Sequence, residues 1–143
     1  DKITEHLNEL GYECKEFTFV DSNDIAAVLN GAVDYSDVMY IPTDNTAASN
    51  TEVIDSIARP AGVPIVAGEA GICKGCGVAT LSISYYDIGY ASGLQAYEIL
   101  KNGKDVSKMG IEYAPNVTKQ YNKDICDELK ITVPEGYEAI ESN

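Results

Sequence analysis

Tryptophan is absent from these 143 residues, and histidine occurs once, at His6. Lysine and arginine together number 10 against 23 aspartates and glutamates, giving a formal charge of −13. So few cations exclude nucleic-acid binding, which needs clustered basic side chains to displace phosphate counterions. Adsorption to anionic lipid is excluded on the same ground. His6 lies in a polar helical stretch and reads as a surface residue, which leaves no His-dependent nucleophile or His-rich metal set. No apolar run approaches the ~20 residues of a membrane span. Residues 1–20 lack a basic stretch followed by an apolar one, so no signal peptide is read there. None of GxGxxG, GxxxxGK[ST], GxSxG or HExxH occurs, which removes the common nucleotide, serine-hydrolase and zinc-protease signatures. No cofactor is expected.

The four cysteines, Cys14, Cys73, Cys76 and Cys126, are too few for a disulfide-dense mini-protein. Cys73-Lys74-Gly75-Cys76 is a lone CxxC. Zinc would need a second pair, and a thioredoxin-type motif would sit where a strand meets a helix, whereas this one falls between two predicted strands. It reads as a loop carrying two incidental thiols or one disulfide, with no metal.

What is present is a core: hydrophobic residues make up 45% of the chain. Ile3, Leu7 and Leu10 have helical spacing, closed by Gly11. Residues 13–20, with Phe17, Phe19 and Val20, predict a strand. A helix follows from a cap at Ser22 or Asn23 to Leu29, stopped by Asn30-Gly31. Val38–Ile41 and Val63–Ala67 are short continuous apolar runs, the pattern of strands buried in a parallel sheet. Between them Val53, Ile54, Ile57 and Ala58 mark the inner face of a helix ended by Ala61-Gly62. Residues 78–84 predict another strand, Tyr86 to Lys101 a longer helix, 110–113 a strand, 123–129 a short helix, and Pro134 a final turn or helix. Strands and helices alternate with short loops, so the fold class is α/β: a parallel sheet flanked by helices. The first helix has a strand after it and none before it, which suggests a Rossmann-like unit lacking its first strand.

In such sheets ligands sit beyond the carboxyl ends of the strands. The polar segments there are Thr43-Asp44-Asn45-Thr46, Gly68-Glu69-Ala70-Gly71 and Ser84-Tyr85. Asp44, Asn45 and Thr46 either cap the following helix or meet a ligand, and spacing alone leaves both open. Asp44 and Glu69 have the chemistry of an acid/base pair, but polar side chains at strand ends serve binding equally well. Tyr85, Tyr86 and Tyr90 cluster at one helix start, where a ring can stack on a flat ligand.

The segments VMYIPTDNTAAS, PIVAGEAGICKGCGVATLSISYYDIGYASG and LQAYEILKNGK, with the tail LKITVPEGY, resemble the ABC-transporter substrate-binding proteins of periplasmic-binding-protein-like type I fold. More narrowly they are similar to the branch associated with import of tryptophan and tyrosine. The resemblance implies two lobes with the ligand between them. Residues 1–84 then correspond to the second lobe, and residues 85–143 to a segment crossing back toward the hinge and first lobe. It implies ligand contacts at Thr43, Asp44, Asn45, Thr46, Glu69, Ala70, Ser84 and Tyr85, no catalytic residues and no metal. Ser84 and Ala70 stand where that branch usually has acidic residues. The expected role is that of the extracytoplasmic solute-binding component of an ABC importer, a cell-surface lipoprotein or periplasmic protein. Its partners are a small solute, an amino acid by the same resemblance, and a transporter permease. A single lobe with open edges is expected to self-associate. The alternatives are the ligand-sensing domain of a LacI-like regulator or membrane sensor, and an enzyme on the same superfold.

Overall fold

The computed structural model describes residues 2–114 and 116–140. In chain order the elements are α1 (Lys2–Glu9), α2 (Ile25–Val33), β1 (Met39–Ile41), α3 (Asn45–Ala48), α4 (Thr51–Ala61), β2 (Ile65–Ala67), α5 (Ala70–Cys76), β3 (Ala79–Ile83), α6 (Tyr85–Leu100), β4 (Val117–Tyr121), α7 (Lys123–Leu129) and β5 (Glu138–Ala139). A short 3-10 turn spans Val106–Lys108. The strands form one sheet in the order β1-β2-β3-β4-β5. β1, β2 and β3 run parallel, β4 is antiparallel to β3, and β5 is parallel to β4. Among the described residues no helix is long and apolar enough to cross a membrane.

The strand period of two sorts the side chains cleanly. Met39, Ile65 and Ala67 pack with Ile25, Leu29, Ile54, Ala58, Ile72 and Cys73 into one buried cluster, so α2, α4 and α5 line that face. Each fully buried aliphatic side chain there contributes about 1.5–3 kcal/mol. On the other face Tyr40, Val66, Leu81 and Ile83 remain 40–59% exposed. A smaller cluster of Val78, Ile125 and Cys126 fixes α7 beside the β3–β4 pair. Asn122 ties α7 back to α5, its side-chain amide donating to the carbonyl of Lys74 at 2.8 Å.

Thr80 lies on the helix-covered face, paired in register with Ala67. It is 1% exposed, and its hydroxyl is the buried side-chain polar atom without a hydrogen-bond partner among the described residues. An unpaired buried hydroxyl costs about 1–3 kcal/mol. Thr80→Val, which keeps the shape and deletes the hydroxyl, should therefore raise stability by about 1 kcal/mol. A urea midpoint lower than that of the unsubstituted protein would contradict this.

Several elements differ from the sequence-based expectation. Residues 13–20 form no strand: no ladder joins them to β1, which ends the sheet. They are held by side chains instead. Phe17 and Phe19 lean on the core, Tyr35 donates to the Glu13 carboxylate at 2.6 Å, and the Lys15 ammonium sits 4.8 and 4.9 Å from the centres of the Phe17 and Tyr35 rings. α2 runs through Asn30-Gly31 to Val33, because the Asn30 amide bonds back along the helix to the Ala26 carbonyl at 2.7 Å rather than terminating it. Val53, expected inward, is 39% exposed, while Ile54 and Ala58 of the same helix are buried. Residues 70–76 are a helix, not a loop, and Cys73 and Cys76 within it are free, buried thiols. Residues 110–113 form no strand; Ile111 and Tyr113 are almost fully exposed, and the strand lies instead at Val117–Tyr121.

Candidate ligand-binding edge

Because β1, β2 and β3 are parallel, their carboxyl ends share one edge of the sheet. Each is followed within a few residues by a helix whose cap is a candidate ligand residue. Asp44, in extended conformation, accepts the amide of Ala47 on Oδ1 at 2.8 Å and starts α3. Glu69, also extended, accepts the amides of Gly71, at 2.8 Å, and Ile72 on its two oxygens and starts α5. Ser84 accepts the amide of Asp87 at 3.2 Å and starts α6. The capping alternative is thus realised at Asp44, and Glu69 and Ser84 cap their helices in the same way. A carboxylate oxygen has a second lone pair, so capping leaves Asp44 and Glu69 able to accept from a ligand.

The first two loops touch. Thr43 donates its hydroxyl to the carbonyl of Gly68 at 3.2 Å, and the Gly68 amide donates to the Ile41 carbonyl at 2.8 Å. Thr43 and Asn45 are exposed, and Asp44, Thr46, Glu69 and Ala70 are partly buried at the rim. Ser84 and Tyr85 lie at the same edge after β3, and the rings of Tyr85, Tyr86 and Tyr90 are 62–79% exposed. Together these residues form an open wall with carboxylate acceptors, hydroxyls and aromatic rings. A groove does occur elsewhere, between α6 and residues 106–114, lined by Ile88, Ala91, Ile99, Met109 and Ile111; none of the candidate residues lines it. Among the described residues no three His, Cys, Asp or Glu side chains are placed to hold a metal ion.

A mostly parallel sheet presenting polar, helix-capping loops along its carboxyl edge is the architecture of a small-molecule-binding α/β lobe. The chain belongs to the ABC transporter substrate-binding protein family, whose pattern it matches over residues 2–140. It is 29% identical over 111 residues to a tyrosine-binding protein of Clostridioides difficile strain R20291, an alignment covering 78% of this chain and 32% of that protein. Among solved structures it is similar to the ligand-free, open form of a Clostridium difficile substrate-binding protein with adhesive properties, at 29% identity and a TM-score of 0.76, covering 99% of this chain and 48% of that one. A conserved domain protein of Vibrio cholerae O1 biovar eltor matches at 26% identity and a TM-score of 0.82, over 96% of this chain and 49% of that chain. A Streptococcus pneumonia ABC domain solved with L-Trp shares the fold, with a TM-score of 0.85 at 24% identity over 97% of this chain and 50% of its own. The chain therefore spans about half the length of these solved relatives and about a third of the curated one. The family is one of binding proteins rather than enzymes.

Sequence reasoning missed α5. Gly71 and Gly75 lower its helix propensity, and the signal that outweighs them is the acidic cap at Glu69 immediately after a buried strand.

Proposed function

We propose that this protein captures an amino acid, aromatic ones included, as the extracytoplasmic solute-binding component of an ABC importer, and passes it to the transporter's permease. The observation that carries this reading is the row of three capped loops, at Asp44, Glu69 and Ser84, along one sheet edge. In this reading residues 1–84 form the wall of one lobe, with Thr43, Asp44, Asn45, Thr46, Glu69, Ala70, Ser84 and Tyr85 facing the solute. Residues 85–143 lead toward the hinge and the opposite lobe. Carboxylate and hydroxyl acceptors suit an α-ammonium group, and the exposed tyrosines suit an aromatic side chain. Self-association of the isolated chain would use the uncovered face bearing Tyr40, Val66, Leu81 and Ile83.

The test is a titration of the isotope-labelled chain with L-tyrosine, L-tryptophan, L-phenylalanine and, as controls, simple sugars, followed by amide shifts. Amides of residues 43–46, 69–71 and 84–86 should respond to amino acids. Asp44→Ala and Glu69→Ala should each weaken binding about tenfold, the loss of roughly one charge-assisted hydrogen bond, while His6→Ala should leave it unchanged. A response to sugars alone would overturn the amino-acid assignment.

A further inference from the structure

We infer that Gly68 is the positioning residue that yokes the Thr43–Thr46 and Glu69–Ala70 loops into a single rigid wall, so that they move and bind as one; this rests on the ligand-binding reading above. A Cβ added to Gly68 would lie 2.7 Å from the Thr43 nitrogen, 2.9 Å from the Pro42 carbonyl carbon and 3.0 Å from the Pro42 Cα. All three neighbours are backbone, which cannot turn aside as a side chain can. Gly68 does not occupy the left-handed region, unlike the glycines at 11, 62, 103 and 136. Alanine there therefore meets no conformational penalty, and its effect is one of space alone.

The contact sits where displacement matters most. Thr43 precedes the cap Asp44, and Gly68 precedes the cap Glu69. A methyl group at position 68 must push Pro42 and Thr43 away, which pulls Asp44 from the Ala47 amide, or push Gly68 back, which pulls Glu69 from Gly71 and Ile72. Either route changes the spacing between the two carboxylates. The two hydrogen bonds across the seam, from Thr43 Oγ1 to the Gly68 carbonyl and from the Gly68 amide to Ile41, hold that spacing from both sides. Close packing makes such a seam a defined distance rather than a soft one.

The experiment compares the ligand-free chain with Gly68→Ala by amide shifts, then titrates both with L-tyrosine. Amides 43–46 and 69–71 should shift together in Gly68→Ala while those of α7 stay in place, and the dissociation constant should rise at least tenfold. Thr43→Val, which deletes only the seam hydroxyl, should move the same amides in the same direction with a two- to threefold loss. Gly62→Ala is the stability control: Gly62 ends α4 at φ +73 with open space around it, so alanine strains the backbone and lowers stability without touching the wall, and affinity should hold. Shifts confined to residues 67–69, or an unchanged dissociation constant in Gly68→Ala, would overturn the inference. Joint movement of both loops in a protein that answers to no amino acid would uphold the coupling and remove the amino-acid reading instead.

Discussion

Native protein exposed to iodoacetamide near pH 8 should take up one adduct, at Cys14, while Cys73, Cys76 and Cys126 stay unmodified until the protein is unfolded. Cys14 is partly accessible; the other three thiols are buried. Cys73 and Cys76 are 0% and 3% exposed on the inner face of α5. Burial, above all other influences, pushes both thiols from an ordinary 9.0 up to about 12. It raises Cys126 in the same direction. Only the thiolate is nucleophilic, and three pH units remove it about a thousandfold. Restricted access adds to that, so Cys73 and Cys76 should react at least about 10³-fold more slowly in the folded protein than in the unfolded one. Alkylation of Cys73 or Cys76 as fast as that of Cys14 would show that α5 opens readily. The same shift fixes a pH dependence. The folded thiols keep their protons above the point where the unfolded ones lose them, so the unfolded chain binds fewer protons between about 9 and about 12. Stability is full below pH 9 and falls across that window, by on the order of 1 kcal/mol per pH unit for each thiol. The comparison is with Cys76→Ala, whose urea midpoint should fall less steeply over the same window.

Ile72→Ala should lower stability by about 2–5 kcal/mol, the cost of deleting a buried aliphatic side chain and leaving a cavity. Ile72 is 0% exposed and lies in the cluster of Ile54, Ile65 and Ala67, where α5 meets the sheet and α4. For a chain of this size the melting temperature should drop by roughly 5–15 °C. Val53→Ala on α4 is the matched comparison. Val53 is 39% exposed, and its loss should cost less than about 1 kcal/mol. Sequence spacing places Val53 on the inner face together with Ile54, so equal losses at 53 and 72 would favour that reading over the structure. Because Ile72 supplies one of the amides held by Glu69, loosening α5 should also weaken binding at the sheet edge.

The features legible in the sequence are those decided locally. Pro42 closes β1, Gly62 takes the left-handed φ of +73 that ends α4, and Asp44 caps a helix directly after an apolar run. Two of the misread ones depend on a partner far along the chain. Residues 13–20 carry strand-forming side chains, yet a strand exists only through its ladder, and Phe17 instead finds Tyr35 across the turn after α2. β4 is the reverse case. Val117–Tyr121 is polar at Thr118, Lys119 and Gln120 and gives little apolar alternation, but it is drawn into register by β3, with Ala79 opposite Tyr121 and Ile83 opposite Val117. At the site, position along the sheet edge was readable from strand order alone. The Thr43–Gly68 seam was not, because nothing in spacing reports that two backbones twenty-five residues apart touch.

The pairing of Ile83 with Val117 has a topological meaning. Everything between them, α6 included, leaves the sheet at one point and re-enters it one strand away. In polymer terms that stretch is a single oversized hairpin loop, and the entropy of closing a loop rises only with the logarithm of its length. The strand order is therefore indifferent to what the excursion contains. A two-residue turn would join 83 to 117 with the ladder intact, and α6 behaves as a cassette, free to be lengthened, exchanged or docked elsewhere at little expense to the sheet that releases it.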